Sequence, residues 1–151
     1  MRIIIVSGGF DPLHSGHIAH FKAAKELGDL LIVGLNSDDW LIRKKGKPFM
    51  PINERLAIVR ELRVVDLAFA FNDDDNSSRD LINKVIEMYA SEFTAEHPPS
   101  IIFANGGDRS QDNIPEMEQF KDDSRVSFKF GVGGEDKKNS SSWILENWRT
   151  T

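Results

Sequence analysis

Apolar and polar positions alternate in blocks along this chain of 151 residues. The apolar blocks are short and continuous, and most are bounded by glycines or by polar residues. Continuous apolar runs of this length are typical of buried parallel strands. We therefore predict five strands, in the segments RIIIVS, DLLIVGLN, VVDLAFAF, IIFANGG and RVSFKFG.

The segments between these runs have apolar residues at helical spacing. We predict helices in SGHIAHFKAAKELG, NERLAIVRELR, SSRDLINKVIEMYASEF and SSSWILENW. Gly28 is a plausible C-terminal cap of the first helix and Asn53 an N-cap of the second, while Ser77 and Asp80 resemble a capping box. Strand and helix in alternation predict a Rossmann-like, three-layer α/β/α fold with a five-stranded parallel sheet, formed by residues 1–151 as a single domain. Ligands of such sheets bind at the carboxyl ends of the strands, so each chemical candidate should follow a strand.

The composition is that of an ordinary soluble globular protein, with 40% hydrophobic and 28% charged residues. The absence of cysteine excludes disulfides and thiolate metal sites. A net charge of -5 argues against a general nucleic-acid binder, which needs a basic face. The apolar run after Met1 is far too short for a signal peptide or a membrane span, so we expect a cytoplasmic protein without a membrane partner.

The segment GGFDPLHSGH follows the first strand and predicts a phosphate site. Gly8 and Gly9 let the backbone approach a ligand, and the amides at the start of the next helix attract anions. His14 and His17 are three residues apart, so both can face one ligand and donate hydrogen bonds to phosphate oxygens. Two alternatives are half of a zinc site, for which no third ligand stands out, and ordinary surface or capping histidines.

Two further segments carry groups that bind phosphate. The basic run RKKGK follows the second strand, where we expect a loop, and it is informative because the protein is acidic. Lys44 is the first candidate within it and Lys45 the second, since the adjacent lysines leave the register ambiguous by one residue. At the start of the last helix, successive hydroxyls suit the β- and γ-phosphates of a nucleotide, although a single one would suffice as a cap. These hydroxyls belong to Ser140, Ser141 and Ser142.

The segment NGGDR ends the fourth strand, and it is either an ordinary turn or a surface for the nucleotide. Gly106, Gly107 and Asp108 would let a base or ribose lie flat against the backbone. Within the first motif, Phe10 and Asp11 complete the predicted nucleotide-binding set. Asp11 would either hold its loop by bonding backbone amides or help to place magnesium. The acidic run NDDDN is interpreted as solvated surface.

The segment GGFDPLHSGH resembles the His-x-Gly-His signature of the cytidylyltransferase-like nucleotidyltransferases. Other segments fall in the order expected of glycerol-3-phosphate cytidylyltransferase and of the adenylyltransferase domain that makes nucleotide-activated heptose. These are GLNSDDWLIRKKGKP, INERLAIVREL, RVVDLAFAF, NGGDR and NSSSWIL. The resemblance implies that a phosphorylated small molecule attacks the α-phosphorus of a nucleoside triphosphate and releases pyrophosphate.

The resemblance also implies roles for particular residues. His14 and His17 would stabilise the reacting phosphate, and Lys44 would contact the triphosphate or the acceptor phosphate. Arg55 occupies the place of the family arginine that binds substrate phosphate. Arg63 is a further candidate, although an ion pair with Asp66 or Glu61 is equally plausible.

The substrates are expected from the same resemblance. CTP is the first choice of nucleotide, with a sugar or polyol phosphate as acceptor. ATP is the second, with a heptose phosphate or pantetheine phosphate as acceptor. Mg2+ is the expected cofactor and a homodimer the expected assembly. Arg109 stands where relatives often have an aromatic residue, which leaves the base and the acceptor contacts open. A non-catalytic nucleotide sensor that kept the pocket is the alternative of another class.

Overall fold

Five parallel strands form one sheet in the order β3-β2-β1-β4-β5. The computed structural model describes residues 1–92, 100–106, 114–133 and 141–150. The strands are β1 (Arg2–Gly8), β2 (Leu30–Leu35), β3 (Leu67–Ala70), β4 (Ser100–Ala104) and β5 (Val126–Lys129). The predicted α/β fold with a five-stranded parallel sheet is confirmed.

Helices cover both faces of the sheet and enclose two apolar cores. They are α1 (Ser15–Glu26), α2 (Asp38–Lys45), α3 (Ile52–Arg60), α4 (Arg79–Met88), α5 (Glu116–Phe120) and α6 (Ser141–Thr150), with a 3₁₀ turn at Ala90–Glu92. Because side chains alternate along a strand, Ile4 and Val6 of β1 pack with α1 and α3, whereas Ile3 and Ile5 pack with α4 and α5. Across the described ranges, every helix is too short or too polar to cross a membrane.

The direction in which the chain adds strands to the sheet reverses at β1. From β1 the chain adds β2 and β3 on one side and then returns to place β4 on the other side. In open parallel sheets, such a reversal opens a crevice at the carboxyl ends of the two strands concerned. The crevice therefore lies where β1 ends at Gly8 and β4 ends at Ala104.

The basic run that was predicted as a loop is the last turn of α2. Ser37 caps this helix by accepting a hydrogen bond from Trp40 N at 3.0 Å. Acidic residues occupy the first turn and basic residues the last, which complements the helix dipole, and Gly46 ends the helix with a φ of 95°. The loop prediction was wrong because the cap, the charge gradient and the terminal glycine stabilise a helix in spite of the clustered positive charge.

Two predicted helix caps are also wrong. At the start of α3, Pro51 rather than Asn53 holds the cap position, and it makes no side-chain hydrogen bond there. Near α4, the Asp80 carboxylate accepts from Asn72 N at 2.8 Å instead of forming a capping box with Ser77. In both cases the chain enters the helix by a turn that the sequence pattern did not reveal.

Candidate active site

The two motif histidines lie together at the start of α1. His14 Nδ1 accepts from Gly16 N at 3.0 Å, and His17 Nδ1 accepts from His14 N at 3.2 Å. The rings are stacked with their centroids 3.8 Å apart. A ring nitrogen that accepts a hydrogen bond carries no proton, so each neutral ring has its hydrogen on Nε2. Capping therefore uses only the Nδ1 atoms and fixes both imidazoles as Nε2–H donors.

The surroundings of His17 keep its imidazole uncharged at neutral pH. Its ring centroid lies 4.9 Å from that of Phe10 in an edge-on contact, in addition to the stack with His14. Burial, with smaller contributions from His14 and His20, lowers the pKa of His17 to about 3. His17 is thus suited to hydrogen-bond phosphate oxygens as a neutral group.

The loop between β1 and α1, which is the predicted phosphate loop, is tightly packed against its neighbours. Phe10 is buried with a φ of 52°, and a Cβ on Gly8 would lie 2.9 Å from its ring. A Cβ on Gly9 would lie 2.9 Å from the side chain of Leu41 on α2. The glycines therefore allow close packing of the loop as well as close approach by a ligand.

Asp11 holds this loop in place. Its carboxylate accepts from Phe49 N at 2.6 Å and from Met50 N at 2.7 Å, and it is 2% exposed. Lys45 Nζ completes the group by pairing with the same carboxylate at 2.9 Å. The arrangement favours the loop-holding alternative for Asp11, because both carboxylate oxygens accept backbone hydrogen bonds and one of them also pairs with Lys45. Lys45 likewise serves the loop in this structure, rather than a phosphate.

The ammonium group of Lys44 lies in different surroundings from that of Lys45. Its Nζ is 4.7 Å from the ring centroid of Trp40, in cation–π geometry. The same ring lies against the phosphate loop, since a Cβ on Gly9 would be 3.5 Å from it. Trp40 therefore places the Lys44 ammonium near the loop, which makes Lys44 the better candidate of the two lysines for a contact with phosphate.

Arg55 is a buried support of the loop. Its side chain is 0% exposed, and its Nε, Nη1 and Nη2 atoms donate at 2.6–2.9 Å to four protein oxygens. The acceptors are the carbonyls of Met50, Gly9 and Asn36 and the carboxylate of Asp38. Full burial and four bonds to protein oxygens favour a structural role, in which Arg55 ties α2 and α3 to the loop between β1 and α1, in place of the predicted contact with substrate phosphate.

The structure does not bring Arg63 to the site. This residue precedes β3, so it lies at the amino ends of the parallel strands, whereas the crevice lies at their carboxyl ends. The suggested ion pair with Asp66 is not formed either, because that carboxylate pairs with Lys25 Nζ at 2.6 Å. The assignment of Arg63 to substrate phosphate is corrected accordingly.

The start of α6 contacts the phosphate loop. Ser141 Oγ donates to Pro12 O at 2.8 Å, and Ser142 lies exposed in the same first turn. Gly106 follows β4, and a Cβ there would lie 3.5 Å from the ring of His20 on α1. Side chains from distant parts of the sequence thus converge at one edge of the sheet. The predicted Ser140, Gly107, Asp108 and Arg109 lie outside the described residues.

Two buried carboxylates at this edge were missed from the sequence. Asp73, in the run interpreted as solvated surface, is 1% exposed and accepts from Asn36 Nδ2 and from both N and Oγ of Ser37, which joins the loops after β2 and β3. Its position shortly after β3, which ends at Ala70, was the available signal. Glu116, on α5, is also 1% exposed and accepts from Ser78 N at 2.6 Å. No sequence pattern singled it out.

Residues 5–143 match the family model for cytidylyltransferase-like proteins. The chain belongs to this family. The resemblance to the cytidylyltransferase-like nucleotidyltransferases that its motifs predicted is confirmed.

Similar proteins of known sequence and structure agree with this assignment. The bifunctional protein HldE of Haemophilus influenzae (strain PittGG) is 35% identical over 114 residues, which are 71% of this chain and 24% of that protein. The HldE protein of a Nitratiruptor species is 44% identical over 75 residues, 48% of this chain and 16% of that one. The chain thus spans about a quarter or less of these relatives. Among solved structures, the lipopolysaccharide core biosynthesis protein from Thermoplasma volcanium GSS1 has a TM-score of 0.67 at 28% identity, over 90% of this chain and 99% of that one.

Proposed function

We propose that this nucleotidyltransferase transfers AMP from ATP to a phosphorylated sugar and releases pyrophosphate. An oxygen of the acceptor phosphate attacks the α-phosphorus and forms the new P–O bond. The bond from that phosphorus to the bridging oxygen of the β-phosphate breaks, and pyrophosphate takes the electron pair. The observation that carries this proposal is the meeting of two Nε2–H imidazoles with the start of α6 on one loop.

Each group has a role that the geometry supports. His14 and His17 donate to the α-phosphate oxygens, where charge builds as the acceptor attacks, so these bonds strengthen in the transition state. Lys44 neutralises charge beside the loop. Ser142, with the amides at the start of α6, binds the leaving pyrophosphate, and the Ser141 hydroxyl holds α6 against the loop by its bond to Pro12 O.

Magnesium belongs to the proposal as a companion of the nucleotide. Within the described ranges, no group of three histidine or carboxylate side chains could hold a metal ion. Mg2+ commonly binds through substrate phosphates and keeps several waters, so it needs few protein ligands. When bound in this way it would neutralise charge on the triphosphate.

Two observations favour ATP over CTP. The HldE proteins are among the relatives, and the sequence resembles the adenylyltransferase domain that makes nucleotide-activated heptose. The similarity to a lipopolysaccharide core biosynthesis protein supports a sugar phosphate as the acceptor. CTP is the second candidate, because the chain also resembles glycerol-3-phosphate cytidylyltransferase.

The test compares ATP with CTP side by side. Pyrophosphate release is measured for each nucleotide over a panel of sugar and polyol phosphates. We expect release with ATP and at least one sugar phosphate; faster release with CTP would replace the proposed donor. Tight binding of either nucleotide with no pyrophosphate release for any acceptor would support the non-catalytic sensor instead.

A second test addresses the histidines. His14→Ala and His17→Ala should each lower kcat by at least ~100-fold with a modest change in nucleotide KM, because the lost bonds act mainly in the transition state. Lys22→Ala, at an exposed position on the same helix, is the matched control and should leave kcat unchanged. Near-normal turnover in both histidine variants would remove these residues from the mechanism.

A further inference from the structure

A polar cluster is buried at the carboxyl end of β1, on the face of the sheet covered by α4 and α5. Ser78 Oγ and Ser7 Oγ are 2.9 Å apart, and Glu116 Oε1 accepts from Ser78 N at 2.6 Å. Ser7 is the residue before the end of β1, so the cluster begins where the phosphate loop begins. The proposed mechanism gives none of these side chains a role.

One carboxylate oxygen of the cluster lacks a hydrogen-bond partner. Among the described residues, two buried side-chain polar atoms have no partner, Glu116 Oε2 and Arg79 Nε. Proteins rarely leave buried polar groups unpaired, because each one loses its hydration without compensation. The unpaired Glu116 Oε2 beside a hydroxyl pair therefore points to a ligand.

The chemistry of the reaction indicates which substrate reaches this corner. In phosphoryl transfer the attacking and leaving oxygens lie roughly in line, on opposite sides of the phosphorus. The histidines and the start of α6, where pyrophosphate is proposed to leave, lie on the α1 side of the sheet. Ser7, at an odd position of β1 like Ile3 and Ile5, faces the α4 and α5 side. With pyrophosphate leaving on the α1 side, as proposed above, in-line attack brings the acceptor from the opposite side of the phosphorus, toward the cluster.

We infer that Glu116 recognises a hydroxyl group of the acceptor, with its Oε2 atom as the hydrogen-bond acceptor. This inference rests on the proposed function and adds to it the part of the substrate beyond the reacting phosphate. The unpaired carbonyl-type oxygen of this side chain offers a hydrogen-bond acceptor, so it selects hydroxyl-bearing sugars or polyols. Glu116 is thus a specificity residue of the site, and Ser7 and Ser78 form the wall beside it.

Glu116→Gln tests the inference with little change in shape. The glutamine carbonyl can still accept from Ser78 N, while its amide group cannot accept at the second position. We expect a Tm equal to or above that of the wild type, because an unpaired buried carboxylate is removed. We also expect the KM for ATP to stay unchanged and kcat/KM for the acceptor to fall about 10- to 100-fold. Glu118→Gln is the matched control, because it lies on the same helix with its side chain 78% exposed, and it should change neither quantity.

Kinetics with deoxy analogues of the acceptor identify the hydroxyl group that Glu116 binds. The sugar or polyol phosphate that is most active with the wild type is compared with its monodeoxy analogues. One analogue should lose about 10- to 100-fold in kcat/KM with the wild type and less than about threefold with Glu116→Gln. 2′-Deoxy-ATP and 3′-deoxy-ATP are measured in parallel. If the wild type discriminates against them and Glu116→Gln does not, Glu116 binds the nucleotide and the inference is overturned.

The remaining outcomes are also decisive. A lowered Tm for Glu116→Gln with acceptor discrimination unchanged would give Glu116 a purely structural role and overturn the inference alone. A wild type that releases no pyrophosphate with any acceptor would overturn the proposed function, and the inference with it.

Discussion

The depressed pKa of His17 predicts that the protein loses stability in mild acid. The perturbation is a shift from about pH 7 to about pH 5, applied to the wild type and to His17→Asn. Asparagine does not titrate in this range, and its side-chain carbonyl can replace Nδ1 as the acceptor for His14 N. The variant therefore removes the titration while keeping the bond that caps α1.

The magnitude follows from the two pKa values of His17. Burial holds the folded-state pKa at about 3, against 6.5 for the ordinary group. Between these values the unfolded chain binds more protons than the folded one, so the stabilisation is complete above 6.5 and is lost as the pH falls toward 3. At about pH 5 the linkage relation gives a loss of about 2 kcal/mol in the free energy of unfolding.

Urea denaturation measures this loss directly. The difference in unfolding free energy between about pH 7 and about pH 5 should be about 2 kcal/mol larger in the wild type than in His17→Asn. The other acidic and basic groups titrate in both proteins and cancel in the comparison. Equal pH dependence of the two proteins would show that the imidazole is not held neutral, and its proposed role as an uncharged donor would have to be abandoned.

The other predictions concern the two lysines and α6. Lys45→Met should lower the free energy of unfolding by about 1.5–3 kcal/mol, because the buried carboxylate of Asp11 loses its ammonium partner; an unchanged urea midpoint would contradict the loop-holding role. Lys44→Met should lower that midpoint less than Lys45→Met does, because its cation–π contact with Trp40 is worth about 0.5–1 kcal/mol at an exposed site. It should lower kcat/KM for the nucleotide at least ~10-fold in steady-state kinetics, and wild-type kinetics would remove it from the site. Ser141→Ala should weaken binding of pyrophosphate about 2- to 10-fold in calorimetry, since α6 loses its bond to the Pro12 carbonyl. Equal affinity would show that α6 does not bind the leaving group.

The sequence by itself determined the layers of the fold and indicated the sheet edge at which the candidate site lies. Strands and helices follow from apolar periodicity, which depends on neighbours a few residues away, so five strands and their parallel arrangement were predictable. The motif histidines were predictable for the same reason, because His14 and His17 are joined through the local geometry of one helix start. Even the missed helix α2 had its cap, charge gradient and terminal glycine in the sequence.

Only the tertiary structure decided which partner each charged side chain takes. Arg55, Asp11 and Lys45 are occupied by groups far away in sequence, whereas Arg63 is carried to the opposite edge of the sheet. Glu116 gained its significance only when α5 placed it against Ser78. Burial and contacts between distant segments decide whether a charged side chain is paired, exposed or left without a partner. The spacing of residues along the sequence reveals neither of them.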